Sequence, residues 1–167
     1  MAISADHVKA LRDKTGAGVM DCKRALVDAE GDIERATTLL RERGLASVAK
    51  RAGREAGQGL IEAYVHHNSR IGVLVEINCE TDFVANTPEF RQLAHVIAQQ
   101  IAFTNPRSVD EVDGQPSEDG EVPLLKQESI QNSGQTIADL VRETAAKTGE
   151  NIIVRRFTRY ELGAADD

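Results

Sequence analysis

Apolar positions within residues 1–44 recur three or four residues apart, the spacing of one face of an α-helix. Three short helices are predicted: one ends at the glycines near residues 16–18, one runs from about Val19 to Glu30, and one ends before Gly44. Their inward positions are Val8, Leu11, Cys22, Leu26, Ala29, Ile33, Ala36, Leu39 and Leu40. Helices this short form a compact module, residues 1–44, whose thin core calls for a partner or a second domain.

The segment that follows the helical module is basic. Between residue 41 and residue 54 the only acidic residue is Glu42. The basic residues of this segment are Arg41, Arg43, Lys50, Arg51 and Arg54. Glycines at positions 53, 57 and 59 loosen the end of this stretch. We interpret residues 45–59 as a basic linker that is partly helical.

From Leu60 onward the apolar residues alternate with polar ones, which is typical of half-buried strands. The alternating apolar positions are Ile61, Ala63, Val65, Ile71, Val73, Val75 and Ile77. A polar turn at residues 67–70 separates the two runs, so an antiparallel hairpin is predicted. The β-branched and aromatic segment from Asn151 to Leu162 predicts a third strand.

Two helices are predicted between the second and third strands. Thr87 caps the first and Pro88 takes its first helical position. Its apolar stripe is Phe90, Leu93, Ala94, Ile97 and Ile101. The other begins at Thr136 and ends at Gly149, after a loop at 108–123 that carries acids and no base. The predicted fold class is α+β: a three-helix module, then a core at 60–163 with an antiparallel sheet of about three strands packed with helices, and a tail at 164–167.

Composition and charge narrow the possible functions. A formal net charge of −7 disfavours a protein that binds nucleic-acid phosphates. No stretch approaches the roughly 18 apolar residues that span a bilayer, and the N-terminus lacks the apolar segment of a signal peptide. Cys22 and Cys79 form no CxxC pair and suit free thiols in a reducing compartment. We expect a cytoplasmic protein that binds neither membrane nor nucleic acid.

The sequence lacks the motifs of common enzymes. It contains no GxxxxGKS/T phosphate loop, no GxGxxG and no GxSxG. Cys79 with His66, His67 or His95 is a possible nucleophile and base, but no basic residue adjoins Cys79 to activate its thiol. Histidines and cysteines never fall at the spacing of a zinc site. A protein without catalytic activity, cofactor or metal of its own is predicted.

Two short segments stand out as surface candidates. In TGAGVMDCKRAL the adjacent apolar residues Val19 and Met20 cannot both point into the core, although a Met that fills the core is the plainer interpretation. In ETDFV, between the second strand and the Thr87 cap, Phe83 beside two acids is a plausible docking aromatic. The alternative for Phe83 is that it folds back onto the sheet while the acids are solvated.

Three sequence blocks resemble the elongation factor Ts family. LRDKTGAGVMDCKRAL with EGDIERATTLLRERG is similar to its N-terminal UBA-like three-helix module. VEINCETDFVAN resembles the family's second signature, and KTGENIIVRRFTRYELG resembles the end of its core domain. The blocks occur in the family's order and cover most of the chain.

The resemblance implies a guanine-nucleotide exchange factor that binds the translation factor EF-Tu and promotes release of GDP. The helical module of the family grips the nucleotide domain of EF-Tu, which assigns Val19 and Met20 to the apolar grip and Arg12 to its rim. A turn intrudes near the Mg²⁺ and phosphate site of EF-Tu. The residues that match this turn are Thr81, Asp82, Phe83 and Val84.

Other interpretations remain at the level of sequence. The helical module could dock another partner, such as a ubiquitin-like protein, and the basic linker could bind RNA, although no aromatic residue interleaves it for base stacking.

The core resembles the short members of the family, in which two chains pair, so a homodimer is expected. In that view the helices cannot cover all of Ile61, Val65, Val73, Val75 and Ile153.

Overall fold

The computed structural model of the chain describes residues 3–111 and 121–164. It divides into two compact units, Met1–Arg51 and Ala52–Asp167. The first unit consists of helices, and the second contains a sheet packed with helices. The predicted α+β class is confirmed.

The first unit is built from α1 (Ala5–Thr15), α2 (Val19–Asp28) and α3 (Ile33–Arg51). Ser4 caps α1 as its side chain accepts the N–H of His7 at 3.3 Å, and Gly16 ends α1 with a positive φ of 69°. The buried residues are Leu11, Cys22, Ala25, Leu26, Ala29 and Ala36. The helical periodicity predicts all of these except Ala25, and its other inward positions, Val8, Ile33, Leu39 and Leu40, are partly buried against this core.

The third helix is longer than the sequence pattern indicates. It continues through Gly44 to Arg51, so the prediction that it ends before Gly44 is wrong. A glycine ends a helix when it takes a left-handed conformation, and Gly44 does not have a positive φ. Leu45 and Val48, both half-buried, extend the helix beyond it. The predicted linker at 45–59 is therefore helical over its first half.

The second unit holds an antiparallel sheet of β1 (Gln58–Val65), β2 (Ile71–Cys79) and β3 (Ile153–Glu161), in the order β1-β2-β3. The hairpin and the third strand are confirmed. Helix α5 (Pro88–Thr104) packs on this sheet, α6 (Ile137–Thr148) packs on α5, and a short helix α4 (Asp82–Ala85) follows β2. A 3₁₀ turn at Leu124–Lys126 precedes α6.

Helix α5 covers one face of β1 and β2. The predicted cap is confirmed: the Thr87 side chain accepts the N–H of Phe90 at 3.3 Å, and Pro88 occupies the first turn. The largest buried side chains of the second unit are Val75, Ile77, Cys79, Phe90, Ile97, Gln100, Ile101, Leu124 and Ile137. A capping box between Thr136 and Asp139 begins α6, and these hydrogen bonds lower the pKa of Asp139 to about 2.

The opposite face of the sheet, which we call the open face, carries several exposed apolar residues beside the charged pair Glu76 and Arg156. It carries Ile61, Ala63, Val65, Leu74, Ile153 and Tyr160. Val73 and Val75 lie on the covered face, because their register partners are Tyr64 and Glu62. The helices cover Val73 and Val75 and leave Ile153 partly exposed and Ile61 and Val65 two-thirds exposed, so they do not cover the whole of the predicted set.

The predicted acidic loop at 108–123 is described only at its ends, because residues 112–120 lie outside the described part of the chain, as do 165–167 of the predicted tail. The two ends of the loop lie side by side: the N–H groups of Leu124 and Leu125 donate to the carbonyls of Ser108 and Val109 at 3.0 and 2.9 Å. None of the helices in the described ranges is long and apolar enough to cross a membrane.

Candidate partner-binding site

The residues that match the ETDFV segment form a small projection, which we call the tip and define as residues 81–85. Strand β2 ends at Cys79, and one turn of helix, α4, follows. The Thr81 side chain caps this turn by accepting the N–H of Val84 at 3.3 Å. What the sequence pattern indicates as a turn is thus a capped single-turn helix.

Burial separates the residues of the tip into two groups. Val84 and Ala85 are 5% and 6% exposed and fix the tip to the second unit. Thr81, Asp82 and Phe83 are exposed, and Phe83 has an exposed fraction of 79%. The interpretation that Phe83 folds back onto the sheet is wrong. A large aromatic held in solvent by buried neighbours is the geometry of a docking residue.

The base of the tip rests on a carboxylate from the segment between α6 and β3. Glu150 accepts the N–H groups of Glu80 and Thr81 at 3.1 and 3.0 Å, and the hydroxyl of Thr81 at 2.6 Å. Sequence reasoning did not single out Glu150. Its signal was an acid directly after the glycine that ends a helix, which is a common pattern and points to no particular partner.

A second set of hydrogen bonds fixes the segment that carries Glu150. The Glu80 carboxylate accepts the N–H of Asn151 at 2.7 Å and lies 3.6 Å from the guanidinium of Arg54. The side-chain amide of Asn151, only 6% exposed, donates to the carbonyls of Arg54 and Ala52 at 2.8 and 3.4 Å. The support of the tip is therefore a network of hydrogen bonds and one ion pair.

Cys79 is a core residue of the sheet rather than a nucleophile. Its thiol is fully buried and donates to the carbonyl of Thr81 at 3.1 Å. Burial raises the pKa of the Cys79 thiol, and the charge of Glu150 raises it further, so the reactive thiolate is disfavoured. Cys79 pairs with Gln58 at one end of the hairpin, whereas His66 follows the other end.

The three candidate bases have other partners or positions. His66 forms a hydrogen bond with the hydroxyl of Tyr64 at 3.0 Å and contacts His67 with the two rings tilted, and His95 contacts Glu62 at 3.0 Å. The Cys79–histidine pair is therefore not assembled. Among residues 3–111 and 121–164, no group of three acids, histidines or cysteines is placed to hold a metal ion.

The first unit presents a second apolar surface on α2. Val19 and Met20 are 50% and 64% exposed, so the interpretation that Met20 fills the core is wrong. Val27, 56% exposed, lies two helical turns after Met20 on the same face, and the sequence analysis missed it. Arg12 is exposed on α1. We call Val19, Met20 and Val27 the α2 surface.

Several basic residues of the segment from residue 41 to residue 54 have partners within the chain. Arg43 pairs with Asp28 at 2.5 Å, and Arg51 donates to the hydroxyl of Ser47 at 2.5 Å. Arg54 belongs to the network beneath the tip. Because acids of the chain already neutralise two of these cations, the RNA interpretation loses support.

Comparison with known proteins gives one consistent result. A family model described as elongation factor TS matches residues 80–166. The chain is 47% identical to elongation factor Ts of Caldanaerobacter subterraneus, with 96% of this chain and 97% of the relative aligned. It is 46% identical to that of Thermoanaerobacter sp., over 96% and 95% of the two chains, and 43% identical to that of Herpetosiphon aurantiacus, over 98% and 100%.

Proposed function

The chain belongs to the elongation factor Ts family and has the role of a translation elongation factor, and we propose that it binds EF-Tu·GDP and promotes the release of GDP so that GTP can bind. The observation that carries this proposal is the exposure of Phe83 on a tip whose neighbours are buried and capped. A chain acting in this way is an exchange factor in the cytoplasm and makes or breaks no covalent bond.

The tip acts as a wedge at the Mg²⁺ and phosphate site of EF-Tu. Phe83 offers a large, rigid contact area, and Asp82 brings a carboxylate near the groups that hold the partner's metal ion. Thr81 shapes the tip by capping it. Val84, which the family motif also includes, is buried in this chain, so its part is to anchor the tip.

The driving force is a coupling free energy between two ligands of EF-Tu. A factor that binds EF-Tu and distorts its nucleotide site lowers the affinity of EF-Tu for GDP. Bound GDP lowers the affinity of EF-Tu for the factor by the same ratio. Each tenfold loss of GDP affinity requires about 1.4 kcal/mol of coupling. A buried aromatic anchor contributes about 2 kcal/mol or more, so one such wedge covers more than a factor of ten.

The first unit supplies affinity. We infer that this three-helix unit is UBA-like and grips the nucleotide domain of EF-Tu through the α2 surface, with Arg12 at its rim. The support is that Val19, Met20 and Val27 are at least half exposed on a helix whose other side forms the core.

Release of a fluorescent GDP analogue from EF-Tu tests the proposal. We expect the purified chain to accelerate release in a saturable manner, with unlabelled GDP present to trap the emptied site. Equal release rates with and without the chain would rule the proposal out. A pull-down of EF-Tu, compared with a ubiquitin-like protein, separates this function from that of a general helical docking module.

We also propose that the chain forms a homodimer through the open face. A three-stranded sheet with one bare apolar face is marginal alone, and a two-fold axis would cover that face with its own copy. Glu76 and Arg156, 2.7 Å apart on the same face, pair with each other within the chain, so covering this face would not leave either charge unpaired. The Arg156 guanidinium lowers the pKa of Glu76, which keeps the pair charged.

Sedimentation equilibrium at micromolar concentration tests the dimer. We expect twice the chain mass of 18.2 kDa, with or without reducing agent because both cysteines are buried thiols. Val65→Asp on the open face should give the monomer mass, whereas Phe103→Asp, equally solvent-exposed on α5, should not. A single monomer mass for the unchanged chain would contradict the proposal.

A further inference from the structure

We propose that Glu150 is a positioning residue for the exchange reaction: its carboxylate holds the tip in the conformation that presents Phe83 to the partner. This inference rests on the function proposed for the tip. It adds a residue outside the ETDFV segment and far from it in the sequence, which acts on the partner only through its bonds to Glu80 and Thr81.

Glu150 lies at the end of the sheet, where backbone N–H groups no longer have hydrogen-bond acceptors in a neighbouring strand. The ladder between β1 and β2 ends at the pair Gln58–Cys79, so the N–H groups of Glu80 and Thr81 lie beyond it. The Glu150 carboxylate accepts both of these N–H groups and the Thr81 hydroxyl. Three hydrogen bonds to one ionised acceptor set the direction in which the chain leaves the strand.

The hydroxyl of Thr81 transmits this constraint to α4. A hydroxyl has one proton, and at 2.6 Å from Oε1 of Glu150 that proton is committed to the carboxylate. The lone pairs of the same oxygen then face the N–H of Val84 and cap the helical turn that bears Phe83. Without Glu150 the hydroxyl is free to rotate and the cap loses its orientation.

The carboxylate itself is held in place from behind. Gly149 ends α6 in the left-handed conformation, with φ 77°, and so turns the chain toward the end of β2. Asn151 is buried and bonded to three backbone or carboxylate partners, among them Glu80. Glu80 and Glu150 thus make reciprocal bonds, each carboxylate accepting an N–H from the other's segment.

A tip ordered before contact loses less conformational entropy when it docks, which is the advantage of preorganisation. The consequence for Glu150 is specific. Its removal should lower the maximal rate of GDP release, because the wedge is misplaced. The concentration of factor that gives half the maximal rate should change little, because the α2 surface is untouched.

The test compares Glu150→Ala and Glu150→Gln with the control Glu128→Ala. The Glu128 carboxylate also accepts a backbone N–H, that of Gly134 at 2.7 Å, but takes no part in the tip. We expect Glu150→Ala to lower the maximal rate by about tenfold or more, since small misplacements have large kinetic effects. Glu150→Gln keeps one carbonyl acceptor and should recover part of the rate, and Glu128→Ala should match the unchanged chain.

A double mutant separates positioning from an independent role. In the Phe83→Ala background, Glu150→Ala should change the maximal rate by less than about twofold, since residues that act through one another are not additive. Amide hydrogen exchange of Glu80 and Thr81 in the free chain should become about tenfold faster in Glu150→Ala, which reports on the tip without EF-Tu. If Glu150→Ala does not fold, Glu150→Gln carries the same comparison.

The failures are distinguishable. If Phe83→Ala releases GDP at the unchanged rate, the proposed function of the tip is wrong, and the role of Glu150 falls with it. A second pattern would leave the function of the tip intact and overturn the positioning role. In it Phe83→Ala slows GDP release, but Glu150→Ala either releases GDP at the normal rate or loses rate in full addition to the loss in Phe83→Ala. Equal losses in Glu150→Ala and Glu128→Ala would also overturn it.

Discussion

Helices α4 and α5 follow one another in the chain, begin in the same way and place their phenylalanines in opposite environments. Thr81 and Thr87 each cap a helix by accepting an N–H at 3.3 Å, yet Phe83 is 79% exposed and Phe90 is fully buried. The caps are local features and cannot produce this difference. It comes from length: α5 has a stripe of apolar residues over many turns, whereas α4 is one turn with Val84 and Ala85 inside. Whether a phenylalanine is buried in the core or exposed for contact with a partner therefore depends on how many other apolar residues share its face of the helix.

The largest expected effect is on stability, at Phe90. Phe90→Ala removes a fully buried ring from beneath the sheet and should lower the free energy of unfolding by about 3–5 kcal/mol. Thermal and urea unfolding of the unchanged chain and the variant measure this loss. A loss below about 1 kcal/mol would mean that the covered face is not the core that the packing indicates.

The second comparison is between the tip and the α2 surface, the two candidate contacts with EF-Tu. Met20→Ala should weaken binding by about 1.4 kcal/mol, which is a tenfold rise in the half-saturating concentration, and leave the maximal rate of GDP release unchanged. Leu162→Ala, similarly exposed, serves as the control. A reduced maximal rate with unchanged half-saturation would place Met20 in the wedge rather than in the grip.

The smallest effect is expected at the end of α3. Lys50→Ala with Arg51→Ala should alter exchange activity by well under tenfold, because charges at the protein surface contribute roughly 0–1 kcal/mol each. The same release assay measures it, at two salt concentrations. A hundredfold loss would show that the partner-binding surface extends to the last turn of α3.

Much of the fold could be predicted because local sequence patterns determine most of its helices and strands. The caps at Ser4 and Thr87, the apolar stripe of α5 and the strand alternation from Leu60 each depend on residues a few positions apart. The three-stranded antiparallel sheet follows from the hairpin and one further β-branched segment. The predictions from these patterns agree with the structure because the local conformational preferences and the tertiary packing favour the same elements.

The features that were missed depend on residues distant in the sequence. The sequence alone favours core positions for Met20 and Phe83, because an apolar side chain does not reveal how much of the core other residues fill. Gly44 predicts a helix end, but half-buried Leu45 and Val48 extend the helix beyond it. Glu150 gained its role only when the fold brought the end of α6 to the end of β2.

The most direct test of the proposed function is the rate of GDP release from EF-Tu with saturating Phe83→Ala. Loss of a docking aromatic should cost about 2 kcal/mol, a reduction of roughly thirtyfold, with an unchanged melting temperature because the ring lies in solvent. Phe103→Ala, whose ring on α5 is 77% exposed, should release GDP at the normal rate. Normal release with Phe83→Ala, or a fall in melting temperature like that of Phe90→Ala, would contradict the assignment of Phe83 as the wedge.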